Sequence, residues 1–211
     1  MIFLLSENLL SFPDPSLAEK DGLLAIGGDL SSERLILGYQ NGIFPWYSEA
    51  EPISWYSPHE RCVIFPEEII INSSMNKIID KNVFTITTDT SFEAVIEHCK
   101  TIPRKEGHGT WITDEMKAAY MNLHHLGFAH SIEAWKNGEL AGGMYGVVVN
   151  NIFCGESMFS KMNNASKAVM IWLCQNGGYK FLDCQLPNPH LMRMGARMIS
   201  QKAFIKMLKS D

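Results

Sequence analysis

The segment from His130 to Phe159 reads HSIEAWKNGELAGGMYGVVVNNIFCGESMF, and it predicts the centre of the fold. Three runs of strand-forming residues are separated by Lys-Asn-Gly-Glu at 136–139 and by Asn-Asn at 150–151. Asn-Gly between two apolar runs is a strong hairpin signal, because both residues tolerate a positive φ. The segment therefore predicts a three-stranded antiparallel meander.

Helix and strand signals lie on both sides of this meander. Upstream, residues 83–88 alternate like a strand, Thr90-Ser-Phe-Glu93 has the pattern of a capping box, and Thr113 is placed to cap a second helix. Downstream, Asn163 or Asn164 precedes a helical run, residues 179–185 form a short apolar strand, and a last helix begins near residue 201. This order predicts an α/β (α+β) chain whose larger part is GNAT-like, that is, acyl-CoA N-acyltransferase-like.

Acidic and basic residues are distributed unevenly along the chain. Residues 1–60 hold nine acids and two bases, whereas residues 61–211 hold fourteen acids and sixteen bases. The segment 42–58 is rich in Pro, Trp, Tyr and Ser without a clean period, which predicts an ordered aromatic loop or linker. We therefore predict a small N-terminal α/β domain over 1–60 and a GNAT-like catalytic domain over 61–211.

Composition excludes several classes of protein. The chain has 211 residues, of which 46% are hydrophobic and 19% charged, and this balance is typical of globular proteins rather than disordered ones. No apolar run approaches the ~20 residues of a membrane span, and the first residues lack the pattern of a signal peptide. We expect a cytoplasmic monomer that does not bind membranes. Five widely spaced cysteines without a CxxC motif predict buried, reduced thiols.

Common catalytic and nucleotide-binding motifs are absent from the sequence. There is no GxxxxGK[ST], GxGxxG, GxSxG or HExxH. The Q/R-x-x-G-x-G/A loop with which acetyl-CoA-dependent GNAT enzymes hold the pyrophosphate is also missing, since Arg193-Met-Gly-Ala196 has the wrong spacing. These absences disfavour nucleotide hydrolysis, dinucleotide binding and ordinary acyl-CoA chemistry.

Three short sequences contain residues that could take part in binding or catalysis. Aromatic residues in GIFPWY at 42–47 either stack on nucleobases or form a small core between domains. Glu156 interrupts an apolar strand, where a carboxylate is costly to bury without a partner, so it is either a surface residue or an acid, base or cation-binding group. Asp183 and Gln185 alternate along a strand, which places both on one face, in an active site or against a neighbouring loop.

The C-terminal part of the chain is basic. From Ser157 onward eight bases face only two acids, Asp183 and Asp211. Such a stretch attracts phosphate, although it is also compatible with a solvated surface that has no partner. The bases are Lys161, Lys167, Lys180, Arg193, Arg197, Lys202, Lys206 and Lys209.

Seven strings in register resemble one known family, the leucyl/phenylalanyl-tRNA–protein transferases. In order they are GGDLSSERLILGYQNGIFPWYS, TWIT, HSIEAW, GGMYGV, FCGESMFS, NASK and LDCQ. The resemblance implies transfer of Leu, Phe and, less well, Met from Leu-tRNA, Phe-tRNA or Met-tRNA to proteins that begin with Arg or Lys. The product would be an N-degron that marks the protein for degradation. The resemblance also implies that no coenzyme A, metal or ATP is used.

The same resemblance implies roles for individual residues. Gln185 would hydrogen-bond the reacting groups, and Asp183 and Glu156 would polarise or orient them or hold the cationic first residue of the acceptor. Trp46 and Trp111 would contact the 3′-terminal adenosine. The aminoacyl pocket would be lined by Met144, Phe153, Leu173 and Leu182. The acceptor stem would meet Lys161, Lys167, Arg193 and Arg197.

Three other functions remain open at this point. A non-catalytic tRNA-binding module would tolerate the loss of Glu156, Asp183 and Gln185. A cell-wall transferase that also uses aminoacyl-tRNA would share the GNAT-like domain, and so would an acyl-CoA-dependent N-acetyltransferase. The FPW and FCGESMFS strings disfavour the cell-wall enzyme, and the missing pyrophosphate loop disfavours the acetyltransferase.

Overall fold

A computed structural model of the chain describes residues 2–102 and 112–210. Within these ranges, eleven strands form two sheets and seven α-helices pack against them. No helix in the described part is long and apolar enough to cross a membrane. All five cysteines are free thiols, and the prediction that they are buried is confirmed for all except Cys184, which is half-buried.

The first sheet has four strands in the order β1-β2-β4-β3. Its strands are β1 (Phe3–Leu5), β2 (Leu23–Gly27), β3 (Phe44–Pro45) and β4 (Ser54–Tyr56). Helix α1 (Ser32–Gln40) lies between β2 and β3 in the chain. The prediction of a loop over 42–58 is therefore wrong, because two strands of this sheet lie within it. The buried Trp55 ring holds β4 in place by donating from Nε1 to the Gly27 carbonyl oxygen at 2.9 Å.

The second sheet has seven strands in the order β11-β5-β10-β9-β8-β7-β6. They are β5 (Glu60–Ile64), β6 (Thr85–Thr88), β7 (Ala129–Lys136), β8 (Glu139–Val149), β9 (Ile152–Ser160), β10 (Leu182–Gln185) and β11 (Arg197–Ser200). The predicted meander is confirmed as β7-β8-β9, and residues 137, 138, 150 and 151 all have a positive φ in its two turns. Strand β10 runs parallel to β9, and this pair is the only parallel one in the described part of the sheet.

Six helices accompany the second sheet. They are α2 (Ser73–Asp80), α3 (Phe92–Thr101), α4 (Asp114–His125), α5 (Ala165–Asn176), α6 (Pro189–Arg193) and α7 (Gln201–Leu208). The predicted cap of α4 is confirmed, because Thr113 accepts from the Met116 N–H at 3.1 Å. The capping box is wrong: the Thr90 hydroxyl instead donates to the buried Glu133 carboxylate at 3.0 Å, and α3 has no side-chain cap.

The two faces of the second sheet bury different cores. On β8, Tyr145 and Val147 belong to the core that contains α1, α3 and α4, while Met144 belongs to the core that contains α5 and α2. The first core also includes Trp55, so the small sheet packs on that face. The predicted α/β class and GNAT-like order are confirmed by the succession β6-α3-α4-β7-β8-β9-α5-β10. The change of sheet falls between Tyr56 and Glu60; the domain boundary near residue 60 stays a prediction.

Close packing at the bulge between β8 and β9 generates a stability prediction. A Cβ atom on Gly146 would lie 2.5 Å from Cε1 of Phe153, whereas one on Gly155, its partner across the strands, would meet nothing closer than 3.5 Å. We expect Gly146→Ala to lower the free energy of unfolding by about 1–3 kcal/mol, as overpacked cores do. Urea denaturation measures this, with Gly155→Ala as the matched control; equal losses for both variants would contradict the packing described.

Candidate active site

A cavity of about 210 Å³ opens beside β9 and β10, under α5 and α6. Its apolar wall includes Met144, Phe153, Met158, Met170, Leu182 and Leu191. Three of these residues, Met144, Phe153 and Leu182, were predicted to line a pocket. The other three were missed, and α6, which carries Leu191, was not predicted at all.

The structure does not bring Leu173 to this cavity. Leu173 lies almost one helical turn beyond Met170 along α5, and it lines a separate hollow next to Ile132, Trp172 and Tyr179. The resemblance placed it in the aminoacyl pocket. That placement disagrees with the geometry, because α5 turns toward the cavity only at Met170.

A second hollow of about 250 Å³ continues from the first. The two share Glu156, Gln185, Leu186 and Asn188 along their common edge. Trp46 lines the second hollow and is 42% exposed, with its ring edge-on to Tyr56 at 5.5 Å. Phe44, Tyr47 and Trp55, by contrast, are buried core residues, so the aromatic segment contains both a small core and one open ring. Trp111 lies outside the described residues.

Glu156 stands where the two hollows meet, and only 9% of it is exposed. Its Oε1 accepts from the Gln185 amide at 2.7 Å and its Oε2 from the Tyr120 hydroxyl at 2.9 Å. The Tyr39 hydroxyl oxygen lies 2.5 Å from that of Tyr120. Burial raises the pKa of Glu156 to about 7, and these neutral donors only partly oppose the shift. The carboxyl group can therefore gain or lose a proton near neutral pH.

Asp183 is fully buried and forms an ion pair with Arg61. Nε and Nη2 of Arg61 donate to the two carboxylate oxygens at 2.8 and 2.7 Å, and Nη1 donates to the Gly42 carbonyl oxygen at 3.2 Å. The guanidinium carbon lies 4.7 and 4.6 Å from the ring centroids of Phe44 and Phe204. Arg61 was not predicted; the only signal in the sequence is its place directly before the apolar run Cys-Val-Ile-Phe.

The backbone at Gln185 departs from regular strand geometry. The register of β10 against β5 shifts between Asp183 and Gln185, and Gln185 has a φ of 60°. Its N–H donates to Oδ1 of Asp183 at 2.8 Å. The regular alternation predicted for this strand is thus interrupted at Gln185, although both residues line the cavity. Asp183 pairs with Arg61, while Gln185 reaches Glu156.

The structure brings together only two of the four bases predicted to meet tRNA. Lys167 and Arg193 line one small pocket. Arg197 is paired with Glu68 at 3.0 Å and lies over the Phe65 ring. Lys161 is exposed, and its Nζ lies 2.8 Å from Nε2 of His98.

Comparison with known proteins shows which family the amino-acid sequence matches. A profile described as leucyl/phenylalanyl-tRNA protein transferase matches residues 63–209, and the profile of its N-terminal domain matches residues 28–59. Proteins with the name leucyl/phenylalanyl-tRNA–protein transferase are similar over nearly the full chain. That of Flavobacterium psychrophilum is 50% identical, covering 99% of this chain and 100% of its own. That of Syntrophobacter fumaroxidans is 49% identical, covering 100% of this chain and 91% of its own.

A solved structure is more distantly similar. It is described as L-PGS from Bacillus licheniformis, with 15% identity and a TM-score of 0.42. The likeness covers 79% of this chain and 54% of that one. A likeness at this level does not bear on the activity.

The Arg61–Asp183 pair generates a second stability prediction. Arg61→Met leaves Asp183 buried without its cation, and we expect the free energy of unfolding to fall by about 3–5 kcal/mol. The matched control is Arg197→Met, which removes an exposed arginine from its pair with Glu68 and is expected to change stability by about 1 kcal/mol or less. Adding Asp183→Asn to Arg61→Met should recover part of the loss. Equal losses for the two single variants would contradict the role of the buried pair.

The raised pKa of Glu156 makes the stability of the protein depend on pH. Its pKa is raised from 4.5 to about 7 in the folded protein, so the folded state holds the proton more tightly than the unfolded state does. Stability must therefore fall as pH rises from about 4.5 to 7, by on the order of 3 kcal/mol for this group. Urea unfolding between pH 5 and 8 measures it, and Glu156→Gln should lack this part of the slope. A constant difference between the two proteins across that range would contradict the raised pKa.

Proposed function

The chain belongs to the leucyl/phenylalanyl-tRNA–protein transferase family, and we propose that it transfers Leu, Phe and, less well, Met to proteins that begin with Arg or Lys. It is an aminoacyltransferase, with aminoacyl-tRNA as donor and proteins as acceptors. The new N-terminal residue makes the acceptor an N-degron. The cytoplasm, where aminoacyl-tRNA is available, is the expected location. One observation carries the proposal: an apolar cavity and an aromatic hollow meet at Glu156 and Gln185.

The apolar cavity suits a single amino acid side chain. Its volume of about 210 Å³ is below the ~300–1,000 Å³ of sites for drug-sized ligands. Three of its wall residues, Met144, Met158 and Met170, are flexible methionines that can adapt to both a branched aliphatic chain and an aromatic ring. Leu, Phe and Met are all unbranched at Cβ, whereas Ile and Val would crowd the entrance of such a slot.

The second hollow suits the 3′-terminal adenosine of the donor. An exposed indole offers a flat face on which a base can stack, and Trp46 lines this hollow. With the base on Trp46 and the side chain in the apolar cavity, the ester that joins them would lie at the shared edge. That edge carries Glu156 and Gln185.

The proposed step converts an ester into an amide. The acceptor nitrogen attacks the ester carbonyl carbon, a C–N bond forms, and the bond from that carbon to the ribose oxygen breaks. The nitrogen loses one proton and the ribose oxygen gains one. An α-amine has a pKa of about 7.7–8.0, so part of it is already neutral near pH 7. The two hollows contribute by holding the reactants together.

Glu156 is the residue best suited to accept the proton. Its pKa of about 7 matches the working pH, which is the condition for efficient general base catalysis. Gln185 cannot titrate, so we assign it the task of orienting Glu156 and the substrates through hydrogen bonds. Asp183 is fully buried and bound by Arg61, which supports an orienting role rather than contact with the cationic residue of the acceptor.

A transfer assay tests the proposal. Purified protein is mixed with Phe-tRNA or Leu-tRNA and with two peptides, one starting with a free Arg and one with acetylated Arg, and the product masses are read. We expect one added Phe or Leu on the free peptide alone. No addition with intact tRNA binding would indicate a tRNA-binding module, and no addition without tRNA binding would reject the proposal altogether.

Trp46 provides a prediction for the donor site. We expect Trp46→Ala to raise the KM for aminoacyl-tRNA about tenfold, because stacking contributes ~1–3 kcal/mol per base. The KM for the Arg peptide should stay unchanged, and Trp46→Phe should recover part of the loss since it keeps an aromatic face. Steady-state kinetics with each substrate varied in turn measures both values. A larger change in the KM for the peptide would contradict the assignment.

A further inference from the structure

Two cysteine residues lie side by side on neighbouring strands at the apolar cavity, Cys62 on β5 and Cys184 on β10. Between Asp183 and Gln185 the register of β10 shifts, and Gln185 pairs with Cys62. Cys184 is therefore the extra residue of a β-bulge, which places two residues of β10 opposite Cys62. Both cysteines also belong to the core that contains α2 and α5. The two thiols thus lie next to each other on the same face of the second sheet.

A hydrogen bond joins the two thiols and makes them chemically different. It lowers the pKa of Cys62 and, together with burial, raises the pKa of Cys184 well above its ordinary value. The S–H of Cys184 is thus the donor and the sulfur of Cys62 the acceptor. The nucleophile in disulfide formation is a thiolate and not a thiol. Cys62 is therefore the residue suited to attack an oxidised Cys184.

The two sulfur atoms also differ in their access to solvent. Cys184 is half-buried and lines the apolar cavity, whereas Cys62 is fully buried. A small molecule that enters the cavity therefore reaches Cys184 first. The other cysteines are placed differently, because Cys99 and Cys154 belong to the core on the opposite face of the sheet. Cys174 shares the core with the pair but lies on α5.

We propose that Cys62 and Cys184 form a reversible disulfide when hydrogen peroxide enters the cavity and, resting on the function proposed above, that this disulfide inactivates the transferase. In the first step, the Cys184 sulfur takes one oxygen atom from the peroxide and becomes a sulfenic acid, and one water is released. In the second step, the Cys62 sulfur attacks the Cys184 sulfur. The S–S bond forms, the S–O bond breaks, and the hydroxide leaves as a second water with the proton of Cys62. In a reducing compartment such a disulfide is transient, as redox-sensing disulfides are.

The position of Cys184 explains why the disulfide would affect the transfer reaction. A disulfide holds its sulfur atoms ~2.0 Å apart, closer than two hydrogen-bonded thiols approach, so the bulge must move toward β5. Gln185 follows Cys184 directly, has a φ of 60° and donates to Glu156. A movement of the bulge therefore shifts the Gln185 amide and its hydrogen bond to the carboxyl group. Misplacing reacting groups by about 1 Å can lower a rate by roughly 100-fold.

The first test follows the disulfide itself and needs no activity. The full chain is treated with hydrogen peroxide, the remaining thiols are alkylated, and proteolytic peptides are analysed by mass spectrometry. We expect a cross-link between the peptides that contain Cys62 and Cys184, and dithiothreitol should remove it.

Two variants serve as controls for this cross-link. Cys174→Ala removes a buried cysteine from the same core and should form the same cross-link as the wild type. Cys62→Ala should form none. Absence of the cross-link in the wild type, or its loss in Cys174→Ala, would overturn the proposal.

The second test measures transfer of Phe from Phe-tRNA to the Arg peptide before and after peroxide, with each protein compared with its own reduced form. In the wild type and in Cys174→Ala, kcat should fall about tenfold or more and should return after dithiothreitol. Cys62→Ala should keep its activity, because its Cys184 has no partner thiol. A reversible loss in Cys62→Ala would show that oxidation of Cys184 alone is sufficient, and the disulfide would have no role.

The remaining outcomes separate the disulfide from the proposed function. A cross-link that leaves kcat unchanged would overturn the inactivation. A loss that dithiothreitol does not reverse would contradict it too, because oxidised methionines in the cavity wall are not restored by a thiol reagent. If the reduced wild type transfers nothing, the proposed function fails, while the mass measurement still decides whether the disulfide forms.

Discussion

The buried ion pair between Arg61 and Asp183 is the interaction on which the site depends. Two charges are removed from water, and only bidentate geometry with further donors and acceptors compensates for this. The pair links β5 to β10, while the same guanidinium reaches Gly42 at the end of α1 and lies between Phe44 and Phe204. The small sheet, the large sheet and α7 therefore meet at one side chain. The position of Asp183 in turn holds the backbone of Gln185 in its unusual conformation.

Glu156 and Asp183 have the same functional group in opposite surroundings. The negative charge of Asp183 is compensated by the full positive charge of Arg61. The carboxylate of Glu156 is bound only by neutral donors, among them Tyr120 and Gln185. The pKa of Glu156 therefore rises to about 7, and it stands at the edge of both hollows. Differences of this kind allow one carboxyl group to organise a site while another exchanges protons. Residues from α1, α4, β9 and β10 all contribute, so the site forms only when both sheets are assembled.

Signals that act over a few residues predicted the structure well. The hairpin turns at 137–138 and 150–151 and the Thr113 cap depend on neighbouring residues alone, and all three are present. The capping box failed because the buried Glu133, more than forty residues away, takes the Thr90 hydroxyl. The segment 42–58 lacks a local strand signal because its two strands are only two and three residues long. Strand β4 is held by β2 and strand β3 by β4, and the local pattern does not show these pairings.

Short-range spacing is enough to predict the meander, and the short sequence motifs are enough to indicate the family, whose resemblance implied that Glu156, Gln185, Met144 and Phe153 share one site. The pairing of Asp183 with Arg61, 122 residues away, and the position of Leu173 outside the cavity are visible only in three dimensions. The same is true of the small pocket that Lys167 and Arg193 line together. Burial and charge compensation depend on neighbours in space, which a linear pattern of residues does not contain.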